Sequence, residues 1–340
     1  MKEYSNKEQL SFDDILLVPQ ISDVRSRKDV SLSTILGDGL ELDFPVIAAP
    51  MDTVCEESMA LAMSMYGGLG ILHRYMPIED QARKVSMVRN AEAIVGGSIG
   101  ARGSFMRDAE KLINAGATLV LVDVANGHSQ YAINAVAELR DHFGDDLHIM
   151  AGNVSTWDGF ARLGDAGANS IRVGIGGGSA CTTRVVSGHG MPTLASILDI
   201  RSKVSYENSP ALVADGGIRN SGDAAKALAA GAHAVMVGRL LAGTTESPGE
   251  VDNGHKVFRG MASREAQEAG RGIVSGVEGI TTRVPFVGGV RTILDDFKAG
   301  LSSALSYTGV DNLLDFHTDS MYNKVSGNSL HETKPHAKKE

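Results

Sequence analysis

Short apolar runs alternate along the chain with amphipathic stretches. The runs cover 46–50, 69–73, 93–100, 119–125, 148–154, 171–175, 212–217 and 234–239. They are rich in Val, Ile and Leu and are continuous, as in parallel strands covered on both faces. Between them the spacing predicts helices over 58–65, 78–89, 106–115, 129–142, 157–166, 193–204 and 221–230, with a closing helix near 291–305. Gly116, Gly167 and Gly231 follow helical stretches as stop signals. Each is the centre of an Ala-Gly-Ala triplet, an echo of repeated αβ units. Eight βα units predict an α/β fold, a (β/α)8 TIM barrel. The rival doubly wound sheet usually carries a Gly-rich turn in its first βα unit, and none is found there. The expected organisation is one catalytic domain over 1–318, with an active-site flap at about 259–290. The polar stretch 319–340 reads as a flexible tail.

Composition sharpens this picture. Gly accounts for 40 of 340 residues, about 12 % against a typical 7 %. The surplus has no G-X-Y period, so a collagen-like chain is excluded and specific turns or ligand approaches must need bare backbone. The net charge of −9 disfavours general binding to nucleic acid or to a membrane surface. An anion can still be held locally by backbone N–H groups. No apolar stretch reaches the length of a membrane span, and the acidic, polar start is not a secretory signal. Two cysteines make no disulfide framework, so a reducing, cytoplasmic compartment is expected.

In a barrel the chemistry sits in loops at the C-terminal ends of the strands. The loop after the sixth strand reads GIGGGSACTTRVVSGHGMP. Gly174, Gly176, Gly177 and Gly178 free its backbone, and Cys181 follows beside Thr182, Thr183 and Arg184. A cation and N–H dipoles lower a thiol pKa, so Cys181 is the candidate nucleophile. Cys55 reads as a packed core residue. The seventh strand ends in Asp215, Gly216 and Gly217, and the eighth in Gly238 and Arg239. Bare N–H groups there suit a phosphate, while the Asp215 carboxylate can accept ribose hydroxyls; the bland alternative is glycines that relieve crowding. Asp123 ends the fourth strand and needs a partner, either a ligand or a helix N-terminus that it caps. His73 and His189 read as structural. Glu278, in the long loop, is a weaker candidate for an acid or base. These residues point to a barrel enzyme acting on a phosphorylated sugar compound through a thiolate.

The segments FDDILLVP (12–19), APMDTV (49–54), GGLGILHRY (67–75), VDVANGHS (122–129), AGNV (151–154), VGIGGGSACTTR (173–184), ADGGIRNSGDAAKALAAGAHAVMVG (214–238) and RGMAS (259–263) resemble the IMP dehydrogenase / GMP reductase family over about 10–310. The resemblance implies that Cys181 attacks C2 of a purine nucleotide and that a hydride passes between C2 and a nicotinamide. The dehydrogenase converts IMP, NAD and water to XMP. The reductase uses NADPH to convert GMP to IMP and ammonia through the same adduct. By resemblance, Thr183 and Glu278 form a proton relay. Ser179, Gly217, Gly238 and Arg239 surround the phosphate, Asp215 holds the ribose, and Gly216 and Gly279 join the substrate set. Gly260, Met261 and Ala262 meet the base through their backbone. Ser26, Arg27, Arg74, Asp123, Val124, Ala125, Ile175 and Gly176 contact the dinucleotide. Carbonyls of Gly176, Gly178, Cys181 and Arg184 look like the family's monovalent-cation site, expected to take K+. Family members are homotetramers.

The segment 80–94 runs on without the CBS regulatory insert usual in dehydrogenases. No Arg-Tyr pair lies between Met261 and Glu278, Phe258 precedes the RGM segment, and Ser26-Arg27 matches a reductase pair. These favour GMP reductase. PMDTV, GGIRNSGD and AGTTESPGE read like dehydrogenase segments, which keeps an IMP dehydrogenase lacking CBS domains as the alternative; Ser275 replaces a reductase Arg, and Gly177 and Arg74 stand where the family usually has Pro and Lys. A catalytically silent purine-nucleotide-binding barrel is the third reading.

Overall fold

The computed structural model describes residues 3–5, 8–207, 209–327 and 329. Eight parallel strands close into a barrel: β1 (Val46–Ala48), β2 (Leu69–Leu72), β3 (Gly96–Ile99), β4 (Leu119–Asp123), β5 (His148–Val154), β6 (Ser170–Val173), β7 (Ala211–Asp215) and β8 (Ala234–Val237). Closure is made by β8 pairing with β1, Val235 opposite Val46. Eight helices cover the outside: α1 (Glu57–Met65), α2 (Ile78–Asn90), α3 (Phe105–Asn114), α4 (Gln130–Phe143), α5 (Trp157–Asp165), α6 (Thr193–Arg201), α7 (Ser221–Ala229) and α8 (Val290–Thr308). The expected (β/α)8 barrel is the observed one.

Strand alternation splits the apolar residues into two layers. Ile47, Leu69, Ile71, Leu119, Leu121, Met150, Val213 and Met236 fill the barrel interior. Val120, Val122, Ile171, Val173, Leu212, Ala214 and Val235 face the helices. Both layers are buried, which is why the runs read as continuously apolar. A hairpin of Thr34–Ile35 and Glu41–Leu42 brings Leu36 and Leu42 into the interior cluster and plugs its N-terminal end.

The long segment after β8 is ordered. His255–Arg259 pairs antiparallel with Thr281–Pro285, and a short helix, Arg264–Arg271, sits between them. The stretch expected as a flexible tail begins differently. Helix Leu313–Asp319 is followed by Tyr322–Lys324, which pairs with Ile15–Leu17. Backbone pairing with the N-terminal segment, rather than apolar burial, holds this strand, so hydropathy could not announce it. The rest of that stretch from 330 onward lies outside the described residues. No helix among them is long and apolar enough to cross a membrane.

Candidate active site

Side-chain parity carries the interior layer up to the mouth of the barrel. Leu119 and Leu121 point inward, and so does Asp123; Val213 is followed inward by Asp215; Ser170 is followed inward by Arg172. Charged groups therefore end the apolar interior where the barrel opens. There a cavity of about 1150 Å³ lies over the strand ends. It is lined by every predicted site residue except Gly279, Ser26 and Arg27. A second cavity of about 710 Å³ abuts it, sharing Ala125, Ile175, Thr183, Pro192 and Glu278.

The loop after β6 bends sharply because Gly174 runs against β7. Gly174 has φ +143°, and a Cβ there would lie 1.9 Å from the Asp215 carbonyl oxygen. The loop then presents Cys181, which is exposed. Its thiol donates to Thr183 Oγ1 at 3.2 Å, and Thr183 donates to Glu278 Oε2 at 2.7 Å. The flap hairpin brings Glu278 there. Thr182 N–H donates to the Glu278 carbonyl at 2.9 Å, Ile280 N–H to the Ala180 carbonyl at 3.0 Å, and Gly279 lies opposite Cys181. Gly279 thus supports the cysteine loop from behind rather than lining the cavity. Gly260 and Gly279 approach the Ala180 carbonyl so closely that a Cβ on either would collide or crowd it, at 2.8 and 3.2 Å.

Asp123 does not cap a helix. Its Oδ1 accepts from Arg172 Nη2 at 2.6 Å, and its Oδ2 lies 3.5 Å from Arg74 Nε. Asp215 Oδ2 accepts from Asn153 Nδ2 at 2.7 Å and lies 3.9 Å from Arg172 Nε. Asn153 occupies a β-bulge, where the β5–β6 register shifts between Gly152 and Val154, and the bulge turns its amide toward β7. Arg172 and Asn153 are absent from the sequence-based site. The available signal was Arg172 itself, a charged residue at an inward position of an apolar strand.

Arg74, Arg172 and Asn153 each keep a buried polar atom without a hydrogen-bond partner among the described residues. Such atoms at a cavity wall fit a polar ligand such as a dinucleotide. The cation loop can be tested in the same way. The Gly178 carbonyl accepts from Cys181 N–H at 3.0 Å, while those of Gly176 and Cys181 accept nothing among the described residues and remain available. The Arg184 guanidinium donates to the carbonyls of Ile175 and Met191 at 3.4 and 2.7 Å. Only the main-chain oxygen of Arg184 can therefore serve a cation.

Ser26 and Arg27 depart from expectation. Ser26 caps the turn Arg27–Asp29, which packs on α8, outside both cavities. His73 is structural: buried at 3 % exposure, it pairs with Glu56 at 3.1 Å. That bond and Lys84 hold the Glu56 carboxyl down at about 2. His189 is exposed and lines the smaller cavity. Cys55 is fully buried, and burial pushes its thiol well above the ordinary range.

A closed barrel with an exposed thiol, a hydroxyl–carboxylate pair and two further carboxylates around one cavity at its mouth has the make-up of an enzyme site. Residues 9–336 match the model of the IMP dehydrogenase / GMP reductase domain, and the chain belongs to that family of oxidoreductases acting on purine nucleotides. Inosine-5'-monophosphate dehydrogenase of Nitrosopumilus maritimus is 30 % identical, with 97 % of this chain and 98 % of that protein covered. Its namesake in Cryptosporidium parvum is 34 % identical, over 96 % and 94 %. Among solved structures, a GMP reductase variant of Trypanosoma brucei in complex with guanosine 5'-monophosphate superposes with a TM-score of 0.91 and 28 % identity, covering 98 % of this chain and 99 % of that one.

Proposed function

We propose that the protein is a GMP reductase that converts GMP to IMP and ammonia with NADPH, through a covalent adduct on Cys181. The observation that carries this reading is the line Cys181 Sγ, Thr183 Oγ1, Glu278 Oε2, with steps of 3.2 and 2.7 Å. It is a proton path whose two ends match the demands of deamination. The thiol proton passes through Thr183 to Glu278, leaving a thiolate that adds to C2 of the purine. The C2–N bond then breaks. An amine leaves poorly as an anion, and the proton returned through Thr183 lets it depart as ammonia. Thiol and amine have become thioimidate and ammonia, with protons in balance.

Asp215 is assigned to the ribose. Ser179, Gly216, Gly217, Gly238 and Arg239 are assigned to the phosphate, and Gly260, Met261 and Ala262 to the base. Arg74, Asp123, Val124, Ala125, Ile175 and Gly176 would hold the dinucleotide, which when bound supplies the hydride that replaces sulfur at C2. Carbonyls of Gly176, Gly178, Cys181 and Arg184 would hold K+ and fix the bend of the cysteine loop. Ser26 and Arg27 reach a dinucleotide only if another copy presents them, so their assignment goes with the proposed homotetramer. The compartment we assign is the cytoplasm.

One observation favours IMP dehydrogenase instead: the similar curated proteins above carry that name. Purified protein decides between them. NADPH oxidation with GMP and stoichiometric ammonia supports the reductase, while NADH formation from IMP and NAD+ overturns it. Nucleotide binding without either turnover points to a silent barrel. Cys181→Ala is expected to abolish turnover and to keep nucleotide binding in calorimetry; appreciable turnover in that variant would rule out the covalent route.

A further inference from the structure

We propose that Arg172 is a positioning residue that couples the two substrate subsites through a single buried guanidinium. The inference rests on the reading above, in which Asp215 takes the ribose of the mononucleotide and Asp123 contacts the dinucleotide. Arg172 has a side chain only 7 % exposed, on β6 between the strands that bring these acids to the mouth. Its Nη2 donates to Asp123 at 2.6 Å, and its Nε lies 3.9 Å from Asp215. A place is made for it by Gly152 on β5, where a Cβ would lie 2.7 Å from that of Arg172.

Each acid also has a support of its own. Arg74 stands by Asp123, and Asn153 donates to Asp215. There is thus one shared support and two private ones. A guanidinium is suited to the shared place because its charge is permanent and its donors are fixed in a planar fork, so the orientation of one carboxylate constrains that of the other. Arg172 Nε and Asn153 Oδ1 are buried without hydrogen-bond partners among the described residues, so the network has valences left for bound substrates.

Three variants separate this role from packing. Arg74→Gln should raise KM for the dinucleotide alone, and Asn153→Ala that for the mononucleotide alone. Arg172→Gln should raise the KM for the dinucleotide by about tenfold or more, the loss expected for a charged hydrogen bond, and that for the mononucleotide several-fold, because the contact with Asp215 is an ion pair without a hydrogen bond, while kcat falls less. Arg172→Lys keeps the charge, so both KM values should recover in part. If Arg172→Gln lowers Tm but leaves both KM values unchanged in the folded fraction, the role is structural and the proposal falls. A rise in one KM alone also overturns it. Should Arg172→Gln not fold, Arg172→Lys carries the same test: both KM values rise together, and a rise in one alone refutes the coupling. Failure of the functional reading shows separately, as wild-type protein that turns over neither substrate pair, and it takes this proposal with it.

Discussion

Cys55 and Cys181 have the same side chain and opposite chemistry because of where the backbone leaves them. Cys55 is sealed in the core, its sulfur pressed near Gly70, and burial disfavours its thiolate. Cys181 stands in the open mouth with a hydroxyl 3.2 Å away. Brief treatment of the native protein with iodoacetamide should therefore label Cys181 and spare Cys55, as read by peptide mass spectrometry; equal labelling would contradict the assignment. Glu278→Gln keeps the shape of the relay and removes its acid–base function. Turnover should fall on the order of 10²-fold while the Kd for GMP stays within a few-fold. The cysteine loop was legible residue by residue, since a dense glycine run beside Cys181 has few structural uses. Arg172 and Asn153 were not. Arg172 sits inside a run that reads as strand, and only parity within the barrel gives its charge a meaning. The setting of Asn153 depends on a bulge that sequence pattern does not reveal.

Among the elements, the three Ala-Gly-Ala triplets have a shared physical basis. Gly116, Gly167 and Gly231 end α3, α5 and α7 with φ of +92°, +102° and +108°. Against them lie the stems of Arg89, Arg140 and Arg201, from the ends of α2, α4 and α6. Arg140 donates to the Gly167 carbonyl at 3.1 and 2.8 Å, and Arg201 to the Gly231 carbonyl at 2.7 Å. Arg140 and Arg201 thus tie the end of their own helix to the stop of the next, while Arg89 packs on Gly116 and donates to the Ala93 carbonyl at 3.0 Å; all three lie at the N-terminal face of the barrel, where such contacts serve stability. Arg140→Ala should cost about 2 kcal/mol in a urea titration, since it strips donors from partly buried carbonyls. Catalysis by the folded protein should be unchanged. The flap helix Arg264–Arg271 docks through Gly270, where a Cβ would lie 2.4 Å from that of Tyr75. Gly270→Ala should therefore displace the flap, lowering kcat/KM with little change in Tm; unaltered kinetics would show that docking at Tyr75 does not matter. The flap was legible as a long insertion after β8. Its hairpin was not, because alternating exposed residues in 255–259 and 281–285 give little apolar signal.

Over the whole molecule, buried neutral histidines make stability depend on acid. Burial pushes His148 down to about 4 and His233 to about 3, from an ordinary 6.5. Below pH 6.5 the unfolded chain takes up protons that the folded protein refuses, so stability falls as pH drops. The loss approaches about 1.4 kcal/mol per pH unit for each histidine until its folded pKa is reached. Glu56, held at about 2 against 4.5, adds a further loss from about pH 4.5 downward. Tm should therefore decline between pH 7 and 5, and His233→Gln should flatten that slope; a Tm indifferent to pH would refute the account. By itself the sequence determined the eight strands, the helices between them and the bend before Cys181, because burial on both faces, helix stops and free backbone are local demands. Only the tertiary structure decided which groups meet. Thr183 and Glu278 are 95 residues apart and Asp123 and Arg172 are 49 apart. Hydrophobic period encodes which face of an element is buried, but strand register and barrel closure select the residue that stands opposite.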